Sequence, residues 1–189
     1  MTIKAIIQSS IATKQALLAN EPLLDTIQQV ADKAIKAFKG DKKLLFCGNG
    51  GSAADAQHIA AEFSGRFLME RAPLFAEALH VNGSFLTAVA NDYGYEAAYA
   101  RMVTAAGRPG DMLFAISTSG NSPNILKAIH AAKAQGMTIV GWTGESGGQM
   151  RQLCDYLINV PSTHTPRIQE THILVGHIIC ELVETGVFG

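Results

Sequence analysis

Apolar residues follow two different rhythms along the chain. Between positions 21 and 40 they recur every three or four residues, as Leu23, Leu24, Ile27, Val30, Ala31, Ala34, Ile35 and Phe38. That period describes one face of an α-helix. Pro22 suits its first turn and Gly40 its end. A moderately amphipathic helix precedes it over 2–19. From Lys42 onward the rhythm changes to short apolar runs separated by helical stretches. The runs predict strands near 43–47, 76–81, 112–116, 138–142 and 156–160. The stretches between predict helices near 53–65, 84–90, 94–105, 122–134 and 147–153. A last helix, about 167–185, is apolar on most sides and is expected to be buried. Thr165 suits its cap and Pro166 its first turn.

Strands alternating with helices imply right-handed crossovers. The expected fold is therefore α/β, a doubly wound, mostly parallel five-stranded sheet. It carries two extra N-terminal helices and a buried C-terminal one. Residues 1–189 read as one domain, with helices over 1–40 and the α/β core over 41–189. Two helices before the first strand exceed what a minimal nucleotide-binding unit needs. They either cover the sheet or pair with another subunit, and the regular apolar face over 23–38 favours pairing. Ligands of such sheets bind beyond the carboxyl ends of the strands.

Composition narrows the function. The 189 residues are 48% hydrophobic, which suits a packed globule. Fifteen basic and sixteen acidic residues leave a net charge of -1. With no basic surplus, neither nucleic acid nor an anionic membrane is an expected partner. A bound anion would be held by backbone N–H groups and hydroxyls. The three cysteines are far apart and lack zinc-ribbon spacing, which suits a reducing compartment. No signal peptide is visible and no stretch approaches transmembrane length, so the cytoplasm is expected.

Two strand-to-helix loops carry the chemistry. The first is Cys47-Gly48-Asn49-Gly50-Gly51-Ser52, leading into a helix with His58 and Glu62 four residues apart on one face. Glycines allow close backbone approach, and the helix start offers free N–H groups to an anion. Position 53 is Ala, so the dinucleotide fingerprint is absent, and no Gly-Lys-Ser/Thr follows to make a P-loop. Taken alone, Glu62 pairs equally well with Arg66 one turn later. The second loop is Ser117-Thr118-Ser119-Gly120-Asn121-Ser122. A helix cap needs one hydroxyl, whereas this loop offers four, which favours a phosphate site. Gln169, His172 and His177 ride on the last helix. Gln169 and His177 sit about 80° apart around it, and spacing alone does not choose between the two histidines. Asn91-Asp92 reads on its own as a turn.

Taken together these residues resemble the sugar isomerase (SIS) family, and within it the phosphoheptose isomerase branch. The likeness rests on the loop at 47–52, His58 with Glu62, Gly65-Arg66, Asn91-Asp92, the loop at 117–122, and Arg167-Ile168-Gln169-Glu170 leading to His177. It runs in order through nearly the whole chain. The resemblance implies a flavodoxin-like SIS fold and conversion of sedoheptulose 7-phosphate to D-glycero-D-manno-heptose 7-phosphate for bacterial surface heptose. It implies a homotetramer with a central helix bundle and active sites between subunits. It implies one zinc per subunit, with His58, Glu62, Gln169 and His177 as ligands. The substrate contacts it implies are Asn49, Gly50, Gly51, Ser52, Glu62, Arg66, Asn91, Asp92, Ser117, Thr118, Ser119, Ser122 and Gln169. Glu62 is then the candidate base at C1 of the open-chain ketose, and His177 its partner acid/base on the way through an enediol. Two alternatives share the fold: a non-catalytic module binding a protein such as the replication initiator, and a sugar-phosphate-sensing regulator. The initiator-binding branch lacks Glu and His at the positions of Glu62 and His177. A regulator would carry a DNA-binding segment for which this length leaves no room.

Overall fold

The computed structural model describes residues 2–189. Its order is α1 (Ile3–Leu18), α2 (Glu21–Lys39), β1 (Leu44–Gly48), α3 (Gly51–Ser64), β2 (Ala76–Ala78), α4 (Gly83–Tyr93), α5 (Ala98–Ala106), β3 (Met112–Ile116), α6 (Pro123–Ala134), β4 (Thr138–Thr143), β5 (Tyr156–Asn159) and α7 (Thr165–Phe188). The five strands form one parallel sheet in the order β2-β1-β3-β4-β5. Every residue of β1 and β3 is buried, as the unbroken apolar runs require of strands covered on both faces. Side chains alternate between two cores. Leu44, Phe46, Phe114 and Trp142 pack with residues of α2, α3 and α7. Leu45, Cys47, Leu113 and Ala115 pack with residues of α5 and α6. At the amino edge, buried Asp111 accepts hydrogen bonds from Lys43 N (3.1 Å), Lys43 Nζ (2.6 Å) and Arg108 N (2.8 Å). That carboxylate holds the starts of β1 and β3 together.

The expected fold is the observed one, with local differences. Residues 148–152 form a 3-10 turn rather than an α-helix, because Gly147 and Gly148 enter it at φ of 73° and 52°. The helix expected over 94–105 begins as a 3-10 turn, Tyr95–Ala97, before α5. Thr165 is the first residue of α7 rather than its cap. His164 takes the cap position without a side-chain hydrogen bond.

Two expectations about the helices need correction. The apolar face of α2 is spent inside the chain: Leu23, Ile27, Val30, Ala31, Ala34 and Ala37 are all buried. The uncovered apolar stripe lies on α1 instead, with Ile3, Ile7, Ile11 and Leu18 respectively 79%, 54%, 49% and 70% exposed. Second, α7 is long and apolar enough to cross a membrane by length and composition. Here its apolar side is in the core, with Ile168, Val175, Ile179 and Val183 buried.

α3 and α7 approach closely. A Cβ on Gly176 would lie 2.5 Å from Ile59 Cδ1 and 3.2 Å from the Trp142 ring. Gly176→Val should therefore destabilise the fold by about 1–3 kcal/mol through overpacking. Urea unfolding measures this, and an unchanged midpoint would show that the two helices have room to spare.

Candidate active site

The two motif loops leave adjacent strands β1 and β3 on the same edge of the sheet, so they face each other. Between them lies a cavity of about 350 Å³, lined by Asn49, Gly50, Gly51, Ser52, Ile116, Ser117, Thr118, Ser122, Thr165 and Gln169. Its walls include the first turn of α3 and the cap of α6. Neither helix start has a side-chain cap hydrogen bond. Ser122 sits at the cap position, yet its Oγ meets Ser117 Oγ at 2.9 Å. Ser119 Oγ lies 3.4 Å from the same oxygen of Ser117. Hydroxyls turned to one another around uncapped N–H groups suit the oxygens of an anion. None of the lining residues is Lys or Arg. Gly51 is tied to this geometry: a Cβ there would stand 2.5 Å from Gln169 Nε2, so its absence lets α7 reach the loop. A larger cavity, about 660 Å³, lies away from the strand ends between Phe85, Arg101, Lys127 and His130. Its cations are engaged elsewhere, Lys127 with Glu96 at 2.8 Å and Arg101 over the Tyr93 ring.

Asn49 lines the cavity, but its amide is held from behind. It exchanges hydrogen bonds with the amide of buried Asn124 (2.9 and 2.8 Å) and accepts one from Tyr95 OH (3.0 Å). Tyr99 OH donates to the Gly48 carbonyl. Asn124, Tyr95 and Tyr99 carried no signal in the sequence, since each sits in an ordinary helical stretch. Asn91 and Asp92 lie in the last turn of α4, exposed, with the Asn91 amide donating to Asp92 at 2.9 Å. Arg66 is exposed just beyond α3 and faces Glu70 at 3.6 Å. These three residues lie outside the cavity lining of the single chain.

His58, Glu62 and His177 come together. Glu62 Oε1 is 2.9 Å from His58 Nε2, so its partner is His58 and not Arg66. His177 Nε2 is 3.5 Å from the same nitrogen of His58. All three donor atoms lie within 4.8 Å of one another. Two imidazoles and a carboxylate are a donor set that zinc accepts, and the convergence of their lone-pair atoms fits such an ion. Gln169 lies two turns before His177 on α7, against Gly51. Asp55 stands one turn before His58, with Oδ2 buried and unpartnered. Burial pushes its carboxyl up to about 6, against the pull of His58.

Burial separates the two histidines of α7. His172 is fully buried, with Nε2 3.1 Å from the Thr143 carbonyl. Burial pushes its pKa down to about 4, although the carbonyl contact acts the other way. The cysteines are free; burial raises the pKa of each thiol, which argues against a nucleophile.

A family model described as the SIS domain matches residues 8–144. The phosphoheptose isomerase of Aneurinibacillus thermoaerophilus is 56% identical over 186 residues, covering 98% of this chain and 94% of that relative. Among solved structures, a phosphoheptose isomerase from Francisella tularensis aligns with a TM-score of 0.94 at 36% identity, covering 98% of this chain and all of that one. The phosphoheptose isomerase of Neisseria gonorrhoeae aligns at 0.90 with 42% identity, covering 97% of each chain.

His172 yields a prediction with a defined sign. Its folded pKa lies below the ordinary 6.5, so the unfolded chain takes the proton first as pH falls. Stability is lost between about pH 6.5 and pH 4, at up to roughly 1.4 kcal/mol per pH unit. His172→Gln should lack that component. Denaturant midpoints of both proteins across this range measure it, and parallel curves would remove His172 as the cause.

Proposed function

The chain belongs to the SIS domain family, and on that footing we propose that it is a phosphoheptose isomerase, interconverting sedoheptulose 7-phosphate and D-glycero-D-manno-heptose 7-phosphate. The observation that carries this reading is the placement of Glu62 and His177 together, on the two helices whose starts wall a cavity suited to an anion, in a chain 56% identical to a protein of that name. In this reading Ser117, Thr118, Ser119 and Ser122 take the phosphate oxygens. Gly50 and Gly51 add backbone N–H groups at the start of α3, beside Ser52, whose own N–H donates to the Asn49 carbonyl. Held there, the open-chain sugar extends towards His58, Glu62 and His177. Glu62 takes a proton from C1 while the C2 oxygen gains one, giving the enediol; a proton then goes to C2 as the O1 hydroxyl loses its own, leaving the C1 aldehyde. His177 serves the sugar oxygens or returns the proton to carbon. Much of the rate comes from fixing the phosphate end, so that C1 meets Glu62 in one orientation.

His58, Glu62 and His177, with Gln169 as the fourth donor, would hold one zinc ion per subunit, which when bound would supply Lewis-acid polarisation of the sugar's carbonyl oxygen. The cytoplasm is the proposed location. The proposed assembly is a homotetramer built on α1, whose uncovered isoleucines form a stripe at helical spacing. Arg66, Asn91 and Asp92 would then complete the substrate contacts across subunits.

Glu62→Gln is the test of the chemistry. Gln keeps the size and one acceptor of Glu but takes no proton. Turnover of seven-carbon and six-carbon ketose phosphates, followed by NMR, should fall by roughly 10²–10⁴-fold with folding retained. Bound zinc, measured on the same preparation, should fall too if the carboxylate is also a ligand. Near wild-type turnover would sink the mechanism. For the assembly, light scattering should give four copies for the wild type and fewer for Ile7→Glu combined with Ile11→Glu. A wild-type monomer at micromolar concentration would remove the tetramer.

A further inference from the structure

The imidazole of His177 has an unusual support. Among the described residues its only polar contact is the 3.5 Å approach to His58. A histidine that ligates a metal or moves protons ordinarily has its second ring nitrogen anchored by a carboxylate or carbonyl. Here the ring is held by stacking. Phe67 lies against it with ring centroids 5.6 Å apart and planes inclined by 22°. His58 packs against it in a T-shaped arrangement, with centroids 5.1 Å apart and planes at 71°.

Phe67 is not on a helix or strand, so something else must hold it. It lies in the connection between α3 and β2, and that connection is tied down by one ion pair. Glu184 sits seven residues after His177, on the same face of α7. Its carboxylate accepts from the backbone N–H groups of Phe67 (3.1 Å), Leu68 (2.7 Å) and Met69 (2.8 Å), and from Arg71 Nε (2.8 Å). Arg71 also donates to the Ala72 carbonyl (3.1 Å) and spends the rest of its N–H groups on the end of α3. It donates to the carbonyls of Glu62 (2.9 Å), Phe63 (2.8 Å) and Gly65 (3.1 Å). The side chains of Arg71 and Glu184 are each 2% exposed. One buried pair thus joins the turn carrying Glu62, the segment carrying Phe67, and the helix carrying His177.

We propose that Phe67, seated by the Arg71–Glu184 pair, is a positioning residue that fixes the plane of the His177 imidazole relative to Glu62. The proposal rests on the isomerase reading for its consequence in catalysis. The stack works through shape: a flat ring permits one imidazole plane, whereas a branched aliphatic side chain of similar bulk permits several. It leaves the phosphate cavity alone, because Phe67 is not among its lining residues.

Three variants test it: Phe67→Leu, Phe67→Tyr and Glu184→Gln. Phe67→Leu should lower kcat by about ten- to a hundredfold, the scale of a misplaced catalytic group, with KM within about twofold of wild type. Phe67→Tyr restores a flat ring and should recover most of the lost kcat. Glu184→Gln, if it folds, should lower kcat in the same way, and combining it with Phe67→Leu should add little further loss because both act through one contact. An NMR readout stands apart from turnover. With the two rings near parallel at 5.6 Å, the carbon-bound ring protons of His177 should carry a ring-current shift from Phe67, an effect lost in Phe67→Leu and regained in Phe67→Tyr. A merely structural role for Phe67 would lower the melting temperature without a split between kcat and KM and without rescue by Tyr. Wild-type kcat in Phe67→Leu, or failure of Tyr to rescue, would overturn the proposal. Absence of any turnover by the wild type would instead overturn the isomerase reading, and the catalytic role of the stack with it.

Discussion

The contact between α3 and α7 is the constraint on which the site depends. α3 begins at the glycine-rich loop and carries His58 on its third turn and Glu62 on its fourth. α7 begins beside the same loop, with Gln169 against Gly51, and carries His177 two turns further on. Two helices crossing at ordinary distance would leave these side chains short of one another. Gly176 removes the side chain that would hold the helices apart, so that Ile59 packs against bare backbone. The Arg71–Glu184 pair closes the other end. Burial alone would raise the Glu184 pKa, but three backbone N–H groups and the guanidinium outweigh it and bring the value down to about 2. The folded value lies below the ordinary 4.5, so this contribution is complete above pH 4.5 and is lost as pH falls towards 2. Removing one partner from such a pair leaves a buried charge unpaired, at a cost of roughly 3–5 kcal/mol.

The two halves of the site use different physics, and the division follows from the sheet. At the ends of β1 and β3, the cavity offers an anion main-chain N–H groups and neutral hydroxyls. These do not titrate near neutral pH, so their hold on the phosphate proposed to bind there would vary little with pH on the protein's side. It also needs no lysine or arginine in the cavity wall, consistent with a chain of net charge -1. One helix stretch away, His58, Glu62 and His177 are titratable groups at contact distance. Proton transfer requires groups of that kind, and they are kept clear of the anion site by the length of α3 itself. In the proposed reaction, the substrate's own chain spans the gap between the fixed end and the reacting end.

Much of this was legible in the sequence because it is local. The Gly-rich and hydroxyl-rich loops announce themselves within six residues each, and strand–helix alternation places both on one edge of the sheet. His58 and Glu62 share a helix face by spacing alone. What was not legible depends on which face of one element meets which face of another. The apolar stripe of α2 looked free for a partner, yet it is consumed by α7 and the sheet, while the less regular α1 is left uncovered. His172 and His177 were equivalent candidates until burial separated them: one points into the core at Thr143, the other towards His58.

The least legible residues are those that hold the site rather than form it. Asn124 secures Asn49 from a residue 75 positions away, and Glu184 secures Phe67 from 117 positions away. Neither stands in a motif, and each in isolation reads as a routine polar residue of a helix. Their importance comes from burial, since a carboxylate or amide enclosed in the core must find every partner it needs. A buried polar group with four donors on one carboxylate, as at Glu184, constrains several backbone segments at once. That is why a loop without secondary structure, 65–72, carries an aromatic ring to a defined place against His177 as firmly as a helix would.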